Sequence, residues 1–437
     1  MEQVKQMLEF VEKSPSCYQA VENVQKELEG AGYIPLMENR KWELSFGGKY
    51  YVARNGSSLI AFSIPESRMP KGVAAGEKNS GVEPAGFHMI ASHSDSPCFK
   101  IKEEPEIKVE DRYVKLNVEK YGGMILSTWL DRPLSAAGRV VAADGRGDIV
   151  IKNVAVDKDL FVIPNVAIHM NRDMNKGVEY NAQTDMLPLY GEAQKEDSFQ
   201  ELIAKAAGVR KEEILGSDLF LYNREKGRIF GANGEFICAP RLDDLECVYA
   251  SLQAMLHAVP ERYINLMIVF DNEEVGSTTR QGAASTFLQD TLKRICGAMD
   301  IAEDGYHRMI ADSFMISADN AHAVHPNHPE KADPTNRPYL NGGIVIKYHG
   351  SQKYTTDAVS AAVMKDICKR AGVPWQMYAN RSDIAGGSTL GNLSAVQVPV
   401  PTVDIGLPQL AMHSAYETAG AKDVEYMIRA MECFYNR

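Results

Sequence analysis

The stretch FDNEEVGS, residues 270–277, follows the apolar run INLMIVF and sets Asp271, Glu273 and Glu274 within four positions. Four other stretches carry comparable groups: ASHSDSP with His93 and Asp95, APRLDDLE with Asp243 and Asp244, ISADNAH with Asp319, and AMHSAYE with His413. Two imidazoles and several carboxylates without a thiolate suit a divalent cation such as Zn, Mn or Co, above all a two-metal site with one bridging carboxylate. If residues 271–274 are extended, Glu273 and Glu274 point to opposite sides. One can then ligate metal while the other faces the attacking water as general base. His93 and Asp95, two apart, share a side, which lets the aspartate orient the imidazole.

Each of these groups also has a plain structural reading. Acids at strand ends cap helices or meet solvent, and Asp243 or Asp244 could be the N-cap of the helix that follows. His322, His325 and His328 in NAHAVHPNHPE resemble a metal cluster, but a Pro-rich loop and i, i+3 spacing point to supporting or surface roles. The five stretches gain weight as a set.

Positioning them requires a sheet. Apolar runs end at His93, just before Asp271 and just before Asp319, and open parallel sheets place their sites beyond the carboxyl ends of the strands. From about residue 238 onward the chain alternates helix-like and strand-like segments: the helical face Leu245, Val248, Tyr249, Leu252, Met255 and Leu256, then INLMIVF, QGAASTFLQDTLKRIC, FMISAD, DAVSAAVMKDICKRAG and VPVPTVDIGL. This pattern predicts a mostly parallel sheet flanked by helices. Near the start, residues 16–32 read as a helix with Ser16 and Gln19 in capping-box spacing. Asn55-Gly56 marks a hairpin, and the Gly/Pro-rich residues 68–86 read as a loop. Residues 98–237 differ in texture, with short alternating strands and one helix near 198–207. The expected architecture is α/β, with a catalytic domain from residues 1–97 and 238–437 and a β-rich domain inserted at 98–237.

Composition narrows the partners. The 437 residues are 45% hydrophobic and 24% charged, as in an ordinary globular chain. With 47 basic and 58 acidic residues the net charge is −11, which offers no footprint for nucleic acid or an anionic membrane. Seven scattered cysteines without a C-x-x-C pair fit a reducing compartment, and MEQVKQMLEF lacks the pattern of a secretory leader. A cytoplasmic location is expected.

The motifs SHSDSP, TWLDRPLSAAGRV, RLDDL, DNEEVGS, SADNAHAVHPN and MHSAYE occur in this order across nearly the whole chain. Together they resemble the aspartyl aminopeptidase family of co-catalytic zinc metallopeptidases. The resemblance implies that His93 and Asp319 hold one zinc, Glu274 and His413 the other, and Asp243 bridges them. Glu273 would be the general base and Asp95 the partner of His93. It also implies a zinc-exopeptidase-like catalytic domain, a β-rich dimerisation domain, and dimers that build a tetrahedral dodecamer. His169 in IPNVAIHM would reach a neighbouring subunit's active site; its alternative is a histidine on a half-buried strand. Lys347 and Tyr354 in IVIKYHGSQKY would meet the substrate's first side chain, and a cation there complements Asp or Glu at the free N-terminus of a peptide.

Two departures are visible. Asp244 stands where Asn is commoner, and Ala-Gly precedes Gly387 where Pro-Cys is frequent in eukaryotic relatives. Rival readings keep the metal site for a neutral-residue aminopeptidase or an N-acyl amino acid amidohydrolase. A more distant one is a non-catalytic assembly or peptide-binding protein, against which the retention of Glu273 argues.

Overall fold

A computed structural model describes residues 1–66, 84–194 and 198–437. Most of the loop expected at 68–86 lies outside these residues.

The apolar runs become the middle of a nine-stranded sheet. Its strands, in spatial order, are Ile34–Leu36, Lys49–Arg54, Ser58–Ser63, Ile264–Phe270, Phe87–His93, Phe314–Ala318, Thr402–Gly406, Ile344–Tyr348 and Trp375–Ala379. The four from Ile264–Phe270 to Thr402–Gly406 run parallel, whereas Ser58–Ser63 and Ile344–Tyr348 join them antiparallel, so the sheet is mixed. INLMIVF is apolar throughout because both faces are covered: Met267 and Val269 enter one core, and Leu266, Ile268 and Phe270 the other. The first core is closed by the helices Glu2–Lys13, Cys17–Gly30, Leu242–His257, Ala358–Ala371 and Asp423–Tyr435, the second by Phe287–Ala298 and Glu303–Ala311. The Asn55-Gly56 hairpin forms with φ of 60° and 69°, values that suit this pair.

A second, antiparallel sheet of six strands is built wholly from residues 98–223 around its own core of Phe99, Leu116, Trp129 and Leu134. The helix Phe199–Ala207 packs on it behind a capping box of Ser198 and Glu201. A small third sheet pairs Phe236–Ala239 with Glu417–Gly420 and continues through Pro408–Leu410 to Ala321–His322. Strands of two to four residues leave no periodicity to read, and this sheet is not anticipated by the sequence.

Gln19 fills its expected role only in part: the Ser16 Oγ donates to its Oε1 at 2.5 Å. Ser16 accepts from the Tyr18 N–H, while the Gln19 Nε2 crosses to the second sheet and donates to the carbonyls of Gly138 and Val154, at 3.0 and 3.1 Å. Among the described residues no helix is long and apolar enough to cross a membrane.

Candidate metal centre

Register explains why the donors meet. His93 is the last residue of its strand and pairs with Phe270, so residues 271–274 emerge beside it; the strand ending at Ala318 delivers Asp319 from the other side. Asp243 arrives from the start of the helix Leu242–His257, where Arg241, at φ 58°, and non-helical angles at Asp243 and Asp244 bend the backbone. His413, at φ 68°, sits in the turn between Pro408–Leu410 and Glu417–Gly420.

Ligand atoms of His93, Asp243, Asp244 and Asp319 lie within 4.8 Å of one another, as do those of Asp243, Glu274 and His413, and those of His93, Glu273 and Glu274. Asp243 belongs to two groups. Its Oδ1 is 3.7 Å from the His93 Nε2 and its Oδ2 3.3 Å from the His413 Nε2, which is also 3.4 Å from Glu274 Oε2. Burial pushes the Glu273 carboxyl up to about 8, and burial reinforced by the charge of Asp243 raises Glu274. At Asp243 burial acts the same way but is overcome by the hydrogen bond from His413 and the charge of His93. His413 is raised to about 10 against its own burial by Asp243 and Glu274. Three buried aspartates and two half-buried glutamates face only two imidazoles and the Lys347 ammonium, which lies 3.6 Å from Asp319 Oδ2, so the cluster calls for more positive charge.

Asp95 organises the turn that carries both glutamates. Its Oδ1 accepts from the Glu273 N–H at 3.1 Å and its Oδ2 from the Glu274 N–H at 3.2 Å; its carbonyl lies 3.0 Å from the His93 Nδ1. The expectation of an extended segment is corrected here. Asn272 at φ 62° reverses the chain, Glu273–Val275 is a single 3-10 turn, and both glutamates approach His93. Asp244 also differs from the capping alternative. Fully buried, it accepts from the His93 N–H at 3.1 Å, and the helix begins with no side-chain cap.

Lys347 is 2% exposed. Its ammonium donates to the Asp319 carbonyl at 2.7 Å, lies 3.6 Å from Asp319 Oδ2, and stands 5.2 Å from the centre of the buried Tyr354 ring. His169 is in an exposed turn, not on a half-buried strand: residues 164–170 are all exposed, and Asn165 is tied to the chain by its N–H on Asp131. His322 packs on Tyr378, His325 and His328 are exposed neighbours, and none of them joins a donor group among the described residues.

Several supporting groups carry no assignment from the sequence. The buried Glu417 accepts from the Asp243 N–H at 3.1 Å and the His413 N–H at 2.7 Å, holding two donors at once. Tyr121 donates to Asp95 at 2.7 Å, and the Gly123 carbonyl is 2.7 Å from the His413 Nδ1. The available signal was YGG at the end of an alternating strand, since paired glycines there mark close backbone approach. A Cβ on Gly122 would stand 3.1 Å from the Glu274 Cβ.

An α/β scaffold with nitrogen and oxygen donors gathered at its strand ends is that of a metallohydrolase. The family described as aminopeptidase I zinc metalloprotease (M18) matches residues 10–435. A probable M18 family aminopeptidase 2 of Clostridium acetobutylicum is 45% identical over 100% of this chain and 99% of its own. Its Pseudomonas aeruginosa namesake is 37% identical over 98% and 97%. In a cryo-EM structure of the Ape4 and Nbr1 complex, one chain aligns with TM-score 0.92 and 34% identity, covering 99% of this chain and 85% of that one. The mApe1 dodecamer from S. cerevisiae aligns with TM-score 0.84 and 27% identity over 99% and 96%.

The chain therefore belongs to the M18 family of zinc aminopeptidases and is a hydrolase. The residues present fit a metal. Asp243 Oδ1, Asp244 Oδ1 and Glu274 Oε1 are buried oxygens with no hydrogen-bond donor, at positions where a cation would satisfy them.

Proposed function

We propose that this chain removes the N-terminal residue of peptides, preferring Asp and Glu, with two divalent ions, zinc in the first instance and Mn or Co as substitutes. The observation that carries the two-ion reading is the division of the Asp243 oxygens between His93 and His413. His93 and Asp319 would hold one ion, Glu274 and His413 the other, with Asp243 between them. When bound, such ions polarise the scissile carbonyl and lower the pKa of the attacking water, a contribution of roughly several kcal/mol.

Glu273 acts as the base. It is half-buried and within reach of His93, where a carboxylate can take a proton from water and return it to the departing amine. Asp95 fixes it by holding the N–H groups of the turn. Lys347 supplies the preference: a substrate carboxylate would share its ammonium with Asp319, while an apolar side chain would meet a buried charge it cannot satisfy.

Residues 98–237 serve as a dimerisation domain in this reading, and the dodecamer known for the yeast relative is extended to this chain as a tetrahedral assembly of dimers. The exposed turn at His169 then contributes to a neighbour's site.

Turnover of peptides with Asp, Glu, Leu and Ala first residues, and of N-acyl amino acids, by metal-reconstituted protein tests the reading. Faster kcat/KM for Asp and Glu supports it. Preference for Leu would make the chain a neutral aminopeptidase, and cleavage of N-acyl amino acids an amidohydrolase.

A further inference from the structure

Two residues shape the turn that carries Glu273 and Glu274, and one hydroxyl from the second sheet reaches both. Asp95 holds the turn from within, accepting from the Glu273 and Glu274 N–H groups at 3.1 and 3.2 Å. Asn272, at φ 62°, reverses the chain just before them. The Tyr121 hydroxyl donates to Asp95 Oδ2 at 2.7 Å and accepts from the Asn272 Nδ2 at 2.8 Å. A hydroxyl has one proton to give and lone pairs to receive with, so the two bonds coexist.

Neighbouring groups fix the direction of both. Asn272 Oδ1 accepts from the Thr279 hydroxyl and the Gln281 Nε2, each at 2.8 Å, which turns the amide nitrogen towards Tyr121. At Asp95 the bond from Tyr121 is shorter than either bond from the turn, and a hydroxyl on a carboxylate is of the stronger, charge-assisted kind. Among the described residues none bonds the Glu273 carboxylate itself, so its aim depends on the backbone of the turn.

Register brings the tyrosine here. It ends the strand Tyr113–Tyr121 and pairs with Cys98, which follows Asp95 by three positions. Its ring stands edge-on to Phe220 of the same sheet, with centres 5.5 Å apart.

We propose that Tyr121 is a positioning residue for the peptidase reaction: its hydroxyl ties Asp95 to Asn272 and so holds Glu273 where it meets the attacking water. This role rests on Glu273 as the base, and it gives residues 98–237 a part in the chemistry besides assembly.

Steady-state kinetics of the full-length, metal-reconstituted protein test it, with metal content measured in parallel. Tyr121→Phe keeps the ring and removes the hydroxyl. It should retain its metal and its KM while kcat falls by about tenfold to a hundredfold, by the same factor for peptides beginning with Asp and with Leu, since the base serves both. Asn272→Gly adopts the left-handed backbone without strain, lacks the amide that Tyr121 holds, and should lower kcat in the same way; it serves if the phenylalanine variant folds poorly. Once Glu273→Gln is in place, adding Tyr121→Phe should cost no more than about twofold, because the group through which it acts is gone. An undiminished further loss in that background, wild-type kcat in both single variants, or a fall in kcat matched by lost metal overturns the proposal. The base assignment fails separately, through a Glu273→Gln chain as active as wild type.

Discussion

Glu273→Gln separates the base from the scaffold. The amide keeps the shape, so both metals should remain by elemental analysis, while activity falls by about two to four orders of magnitude. Asp243→Asn acts on the ions instead: one carboxylate spaces and neutralises the pair, so metal content should fall at both positions together. Lys347→Met should narrow the ratio of acidic to neutral substrates, chiefly through slower turnover of the acidic ones. Because Lys347 also donates to the Asp319 carbonyl, its metal content needs measuring in parallel; an unchanged substrate ratio would remove Lys347 from the specificity assignment. The residues that come together here were legible as a set of motifs placed at successive strand ends, and not from any one of them alone. Glu417 was not: its work is to accept two backbone N–H groups, from Asp243 and His413, and neither residue type nor spacing announces that.

Elements were legible where a period ran long enough. The buried strands and the amphipathic helices declared themselves, but the turn at Glu273 did not, because its shape is set by Asp95, far away in sequence. Close packing at the strand end Tyr113–Tyr121 gives a test. Gly122 has φ 79° and abuts Glu274, so Gly122→Ala should lower stability by about 1–2 kcal/mol and deplete metal, read by thermal denaturation and metal analysis. A second test lies at the opposite end of the central strand. His88 is buried between Tyr263 and Phe434, with ring centres at 3.9 and 4.5 Å. Burial, aided by the charge of Arg437, holds it down to about 3. The unfolded chain takes a proton near pH 6.5 and the folded chain refuses it until about 3, so the stability this group confers is full above 6.5 and is lost as pH falls between those values. Urea unfolding at pH 7.5 and 5 should show wild type losing about 2 kcal/mol more than His88→Phe.

At the scale of the whole molecule, the change of texture at residue 98 was visible in the sequence and coincides with the start of the second sheet. The hydrogen bonds that tie this sheet to the metal centre were not, since Tyr121 and Gly123 meet Asp95 and His413 only after folding. Assembly is tested by mixing. Chains with Glu273→Gln and chains with His169→Phe are each expected to be inactive, yet mixed oligomers should recover activity at sites that combine an intact Glu273 with a neighbour's intact His169. No recovery despite proven subunit exchange would confine His169 to its own chain. The donors also carry a consequence for timing. His93 and His413 stand 320 positions apart (413 − 93), with Asp243, Glu274 and Asp319 between them. A ribosome therefore releases the last donor long after the first, and no nascent fragment short of His413 holds the whole set. On the proposed assignment, activity is expected only once the chain has been made as far as His413.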